Sequence, residues 1–146
     1  MNARDFFTAS ERDQILRAVK EAEKQTSGEI RVHIDTACKG DVMDEAAWWF
    51  AQMGMHKTAL RNGVLVYLAP NEKKFAIIGD QGINQVVSPD FWDKVKEVMQ
   101  ARFREGQFAA GLSEGIRLAG EQLKANFPHR QDDKNELPDN ISFDKD

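Results

Sequence analysis

Cysteine is nearly missing from this chain: Cys38 stands alone among 146 residues. An internal disulfide is therefore excluded, and the usage fits a reducing compartment. Long apolar runs are missing too. No stretch approaches the roughly 18–20 residues that a bilayer span requires, and Met1-Asn2-Ala3-Arg4-Asp5-Phe6-Phe7 lacks the apolar core of a signal peptide. A soluble cytoplasmic protein with no membrane span is the expectation. Basic excess is absent as well, with 20 Lys and Arg against 24 Asp and Glu and a formal net charge of -4. The basic residues are scattered among acids, which argues against nucleic acid as a partner. His33, His56 and His129 are spaced unlike any zinc signature. Cys38 has no base beside it in sequence, so a nucleophilic role is not expected. Gly79-Asp80-Gln81-Gly82 lacks the third glycine of a dinucleotide fingerprint.

What is present suffices for one core, with 41% hydrophobic residues in a length suited to one domain. Thr8-Ala9-Ser10-Glu11 has capping-box spacing, with Ser10 or Thr8 as the cap of a first helix. Ile15, Leu16, Val19 and Ala22 give that helix a buried face, and Gly28 offers a left-handed exit. Glu29 to Asp35 alternates with period two; Ile30, Val32 and Ile34 face the core, and His33 lies on the polar, solvated face. A helix is predicted over 43–53. Gly63 to Leu68 is almost continuously apolar, as in a central strand covered on both faces. Asn71 to Lys74 is a turn, and Phe75 to Ile78 returns antiparallel. Pro89 opens a helix running through Phe103, and another spans about 108–126. Trp48, Trp49 and Trp92 belong to the core or its edge.

The predicted fold is α/β: a three-layer α/β/α sandwich, with a small mixed sheet built from a βαβ unit plus an antiparallel hairpin, and helices on both faces. The domain is expected over 1–128. Residues 129–146 form a polar C-terminal tail, which either docks on the domain through 135–143 or carries a partner motif.

Chain reversal in the hairpin concentrates polar residues. The start of the first two strands and the end of the third bring Glu29, Arg61, Asn62 and Asp80 to one end of the sheet. Glu29, Asn62 and Asp80, set among glycines, are candidate ligands for a hard cation, Ca²⁺ or Mg²⁺. The same Asn-Gly and Gly-Asp-Gln-Gly stretches serve equally as turns. At the opposite end Asp35, Thr36, Asp41, Asp44 and Asn71 form a competing cluster, since ligands of open α/β sheets favour strand carboxyl ends. Asp35, Asp41 and Asp44 are therefore secondary candidates, although Asp41 and Asp44 also suit a helix N-terminus.

Several local patterns, in order, resemble the TPM domain family, whose members include thylakoid-lumen proteins linked to photosystem repair. They are Ser27-Gly28-Glu29-Ile30, Asn62-Gly63-Val64-Leu65, Gly79-Asp80-Gln81-Gly82-Ile83-Asn84, Ser88-Pro89-Asp90 and Phe103-Arg104-Glu105-Gly106-Gln107-Phe108. The resemblance spans about Phe7 to Leu123. It implies an α/β sandwich, a divalent-cation site near the strand ends and, from plant members described as acid phosphatases, phosphatase chemistry. Where the family commonly carries Gly-x-Gly-Leu-Glu, this chain places its acid at Asp80.

Two functions follow as expectations. The first is a divalent-cation binding module that docks a protein partner. The second is a metal-dependent phosphatase, in which Arg61 and Arg104 would clamp the phosphoryl group and His56 would act as general acid.

Overall fold

The computed structural model describes residues 2–129 and 141–144. Among them the element order is α1 (Ala3–Phe6), α2 (Ala9–Glu23), β1 (Glu29–Ile34), α3 (Val42–Gln52), β2 (Gly63–Ala69), β3 (Lys74–Gly79), α4 (Gln81–Asn84), α5 (Phe91–Arg104), α6 (Phe108–Asn126) and β4 (Ile141–Phe143). The sheet runs β3-β2-β1-β4. β1 and β2 are parallel, with Glu29 opposite Gly63 and His33 opposite Tyr67. β2 and β3 form the antiparallel hairpin, with Val64 opposite Gly79. β4 adds a parallel edge strand beside β1, with His33 opposite Ser142. The predicted docking segment 135–143 is thus seen only at its end; residues 135–140 lie outside the described ones.

Residue alternation along the strands builds two unequal layers. Ile30, Val32, Ile34, Val64, Val66, Leu68 and Ile77 face one side, where Ile15 and Val19 of α2, Val95 and Met99 of α5, and Leu112, Ile116 and Leu123 of α6 close the main core. Leu65, Tyr67, Ala69 and Ala76 face the other side, against Ala46 and Phe50 of α3 and Met55. The architecture is therefore an α/β sandwich around a mixed sheet. Each fully buried Val, Leu or Ile contributes about 1.5–3 kcal/mol. None of the described helices is long and apolar enough to cross a membrane.

Local details correct the sequence reading at three points. The α2 cap is Thr8, not Ser10: Thr8 Oγ1 accepts from the Glu11 amide at 3.1 Å, and Glu11 Oε1 accepts from the Thr8 amide at 2.9 Å. α2 stops at Glu23, so Gly28 is not its left-handed exit. Gly28 is required instead by packing, since a Cβ there would lie 2.8 Å from a Leu123 methyl. Finally, His33 is 0% exposed rather than solvated. Period two does place it opposite the main core, but Trp49 of α3 covers that face, its ring 3.8 Å from the His33 ring. Trp48, one residue earlier on α3, is 53% exposed and lies at the edge, its ring 4.9 Å from that of Trp49.

Candidate functional site

The hairpin brings Glu29, Arg61, Asn62 and Asp80 to one end of the sheet, through local geometry that is tightly defined. The Asp80 amide donates to the Gly63 carbonyl at 2.9 Å, and the Gly82 amide donates to the Arg61 carbonyl at 2.7 Å. Arg61 takes a left-handed φ of 52° to make that contact. A Cβ on Gly82 would sit 2.2 Å from the Leu60 carbonyl oxygen, so only glycine fits.

Charge at this end is already matched. Arg61 Nε donates to Asp80 Oδ2 at 2.7 Å, and its Nη2 to Oδ1 at 3.0 Å, a bidentate pair. Asp80 Oδ1 also accepts from the Gln81 amide at 2.8 Å and so caps α4. The carboxylate raises the Arg61 pKa further above its ordinary value, chiefly through the hydrogen bond. The pleat also separates the other two candidates. Glu29 pairs with Gly63, whereas Asn62 falls one residue out of phase, on the opposite face. Asn62 is buried, and neither its side-chain oxygen nor its nitrogen has a hydrogen-bond partner.

The residues expected to clamp a phosphoryl group are not assembled. Arg61 is held by Asp80. Arg104 ends α5 next to Phe103, whose ring packs at 4.8 Å on Phe75, at the far end of the hairpin. His56 is exposed in the short helical turn Met55–Lys57.

The other end, at the carboxyl termini of β1, β2 and β4, carries a denser network. Asp35 follows β1 directly and is 5% exposed; its amide donates to the Leu68 carbonyl at 2.8 Å. Its Oδ2 accepts from the Tyr67 hydroxyl at 2.5 Å. His33 Nε2 stands 3.9 Å from Asp35 Oδ1, and His33 Nδ1 lies 2.9 Å from Ser142 Oγ. Burial pushes the Asp35 carboxyl up, but His33 and the Tyr67 hydroxyl outweigh it, and the carboxyl is held below its ordinary value. Burial and then the Asp35 carboxylate push the Tyr67 hydroxyl far upward, so it remains a donor at every ordinary pH.

Above this floor opens a pocket of about 610 Å³, with Asp35, Asp41, Asp44, Glu45 and Asp144 on its walls together with Trp48 and Trp49. None of its lining residues is basic. Asp41 caps α3, its Oδ1 accepting from the amides of Met43 at 2.8 Å and Asp44 at 3.1 Å. The Lys74 ammonium donates to the carbonyls of Cys38 and Gly40 at 3.3 and 3.0 Å, and Gly40 is a lining residue. Asn71 Nδ2 donates to the Thr36 carbonyl at 2.9 Å and pins the loop after β1.

Among the described residues, no three His, Cys, Asp or Glu side chains stand close enough together to enclose an ion by themselves. The structure brings Asp35, Asp41 and Asp44, named from the sequence, into one pocket with Glu45 and Asp144, which the sequence reading did not name, nor did it name Tyr67. Glu45 lies four residues beyond Asp41, one helical turn on, and Tyr67 is the register partner of His33. Those two were readable signals; for Asp144 there was none.

Comparison with known proteins agrees with this architecture. The chain resembles the NMR structure of BA42 protein from the psychrophilic bacterium Bizionia argentinensis, with 47% identity, a TM-score of 0.88, and coverage of 95% of this chain and 96% of that one. The N-terminal domain of cg2496 protein from Corynebacterium glutamicum shares the fold at 15% identity and a TM-score of 0.65, over 81% of this chain and 74% of that one. The N-terminal domain of a P. gingivalis protein does so at 19% identity and a TM-score of 0.62, over 87% and 83%. No curated protein sequence matches. The family model for the TPM domain matches residues 1–122, and the chain belongs to the TPM domain family.

Proposed function

We propose that this domain is a binding module that holds a divalent cation, calcium or magnesium, in the acidic pocket at the strand carboxyl ends. One observation carries the reading: five carboxylates, from Asp35, Asp41, Asp44, Glu45 and Asp144, line a single open pocket with no basic lining residue. An all-oxygen donor set suits a hard cation rather than zinc. His33 and the Tyr67 hydroxyl favour the charged form of Asp35, which adds to the negative charge of the pocket. An open site that leaves water on the ion binds weakly, with a dissociation constant on the order of 10⁻⁴–10⁻³ M. The exposed Trp48 and Met43 on α3 stand at or near the rim and offer apolar surface to a protein partner.

One observation favours a second placement, at Glu29, Asn62 and Asp80: the buried Asn62 amide has both polar atoms unsatisfied. The Arg61–Asp80 pair weighs against it, because a cation would have to displace a guanidinium from both carboxylate oxygens. Metal-assisted phosphate hydrolysis is the alternative activity. It needs a cationic clamp on the phosphoryl group, and the acidic pocket has no arginine or lysine lining it. The test is a calcium and magnesium titration of isotope-labelled protein, with a phosphomonoester assay run in parallel. Amide shifts confined to the loop after β1 and the start of α3, without turnover, support the module. Metal-dependent turnover would favour the hydrolase.

A further inference from the structure

Another pocket, of about 550 Å³, opens between α2 and β4, and its charge is the reverse of the acidic one. Arg4, Arg12 and Arg31 line it, against a single acid, Asp13. The three guanidinium groups come from three elements, α1, α2 and β1. Arg31 stands one residue before the β1–β4 pairing begins at Val32, and it is only 8% exposed. Arg12 Nη1 donates to the Arg4 carbonyl at 3.0 Å, which holds the α2 side chain against α1. Among the described residues that is the one hydrogen bond of the Arg12 side chain, and no carboxylate pairs with it. The Arg4 guanidinium lies 4.8 Å over the Phe143 ring. Leu16 and Ile141 complete an apolar wall beside Phe143.

We propose that this pocket binds a small organic dianion, a dicarboxylate or a phosphate ester, through its arginines, with the apolar part of the ligand against Leu16 and Phe143. The charge balance selects the ligand. Three guanidinium groups against one carboxylate leave two positive charges in excess, in a chain whose formal net charge is -4. A dianion neutralises that excess, and a monoanion does not. Guanidinium is charged at every ordinary pH and offers its N–H donors in a planar fork that matches carboxylate and phosphate oxygens. The donors are also placed in advance. A backbone bond orients Arg12 and an aromatic ring lies under Arg4, so less side-chain freedom is lost when a ligand arrives. Burial at Arg31 keeps water away from one side of the site and strengthens the attraction. This inference is independent of the cation reading, because it uses none of the five carboxylates proposed there.

The test titrates succinate and phenyl phosphate, separately, into the isotope-labelled full chain in metal-free buffer, with acetate at matched ionic strength as the monoanion control. Saturable amide shifts are expected around Arg12, Arg31 and Ile141 with at least one dianion, and the tighter of the two identifies the source of the charge. Arg12→Gln should weaken binding by about fivefold or more, since it removes a charged donor. Asp13→Asn removes the one opposing carboxylate and should tighten binding by about two- to fivefold. The opposite signs of the two variants distinguish a site from a loss of folding, because a misfolded variant does not gain affinity. No saturable shift with either dianion overturns the proposal. So does acetate binding as tightly as both, or an affinity that either variant leaves unchanged. None of these results touches the cation reading, which is decided by the calcium titration.

Discussion

The Tyr67 hydroxyl and the Asp35 carboxylate meet at 2.5 Å across the end of the β1–β2 pair, and the residues are 32 apart in sequence. The contact fixes the floor of the acidic pocket and keeps Asp35 ionised. Asp35 titrates in the folded state below its ordinary value of 3.8. A carboxyl lowered by folding contributes stability above its unfolded pKa, and that stability is lost as pH falls through the folded pKa. Tyr67→Phe leaves a buried carboxylate one hydrogen bond short. The expected cost is about 1.5–3 kcal/mol at pH 7, with acid unfolding moved to higher pH. Urea denaturation at pH 7 and a circular-dichroism acid titration measure the two effects.

Asp41 has two separable roles. As the α3 cap it accepts two amides; as a pocket residue it contributes charge. Asparagine caps a helix as well as aspartate does. Asp41→Asn should therefore keep thermal stability within a few tenths of a kcal/mol while weakening calcium binding several-fold. Asp41→Ala should cost about 1 kcal/mol in addition. Melting curves alongside calcium titrations separate the two roles, and equal calcium affinity in both variants and the natural sequence would remove Asp41 from the site.

Gly82 has no room for a side chain, with the Leu60 and Arg61 carbonyl oxygens 2.2 and 2.5 Å from an added Cβ. Both are backbone atoms, so the strain cannot be relieved by a rotamer change. Gly82→Ala is expected to destabilise the fold by about 1–3 kcal/mol or more. Calcium affinity, in conditions where the variant remains folded, should hardly change, because the pocket is at the other end of the sheet.

Asp80→Asn distinguishes the two ends of the sheet directly. Losing the charge strips Arg61 of its bidentate partner, so the variant should unfold at lower temperature. Its calcium affinity should match that of the natural sequence. A calcium affinity lost together with Asp80 would move the site to the amino end.

The framework of this fold was legible because its signals are long. The apolar run from Gly63 and the polar turn before Phe75 announce a hairpin, and the alternation from Glu29 announces a parallel partner. The pocket was only half legible, for physical reasons. Asp35, Asp41 and Asp44 stand where strands and helices end, positions that periodicity locates. Tyr67 sits inside an apolar run and looks like core until register sets it opposite His33. His33 has the parity of a solvated residue, since period two reports which face it occupies and not what covers that face. Trp49 supplies the cover, and nothing local to β1 reveals it. β4 is three residues long beyond a polar stretch, too short for any period to register. Asp144 follows it and was invisible for the same reason.

Mapping the amides that move when calcium is added to labelled protein tests the central claim most directly. Resonances of Asp35, Asp41, Asp44, Glu45 and Asp144 should shift together and saturate at millimolar calcium. Shifts centred on Glu29, Asn62 and Asp80, or none at any concentration, would contradict a cation site at the strand carboxyl ends.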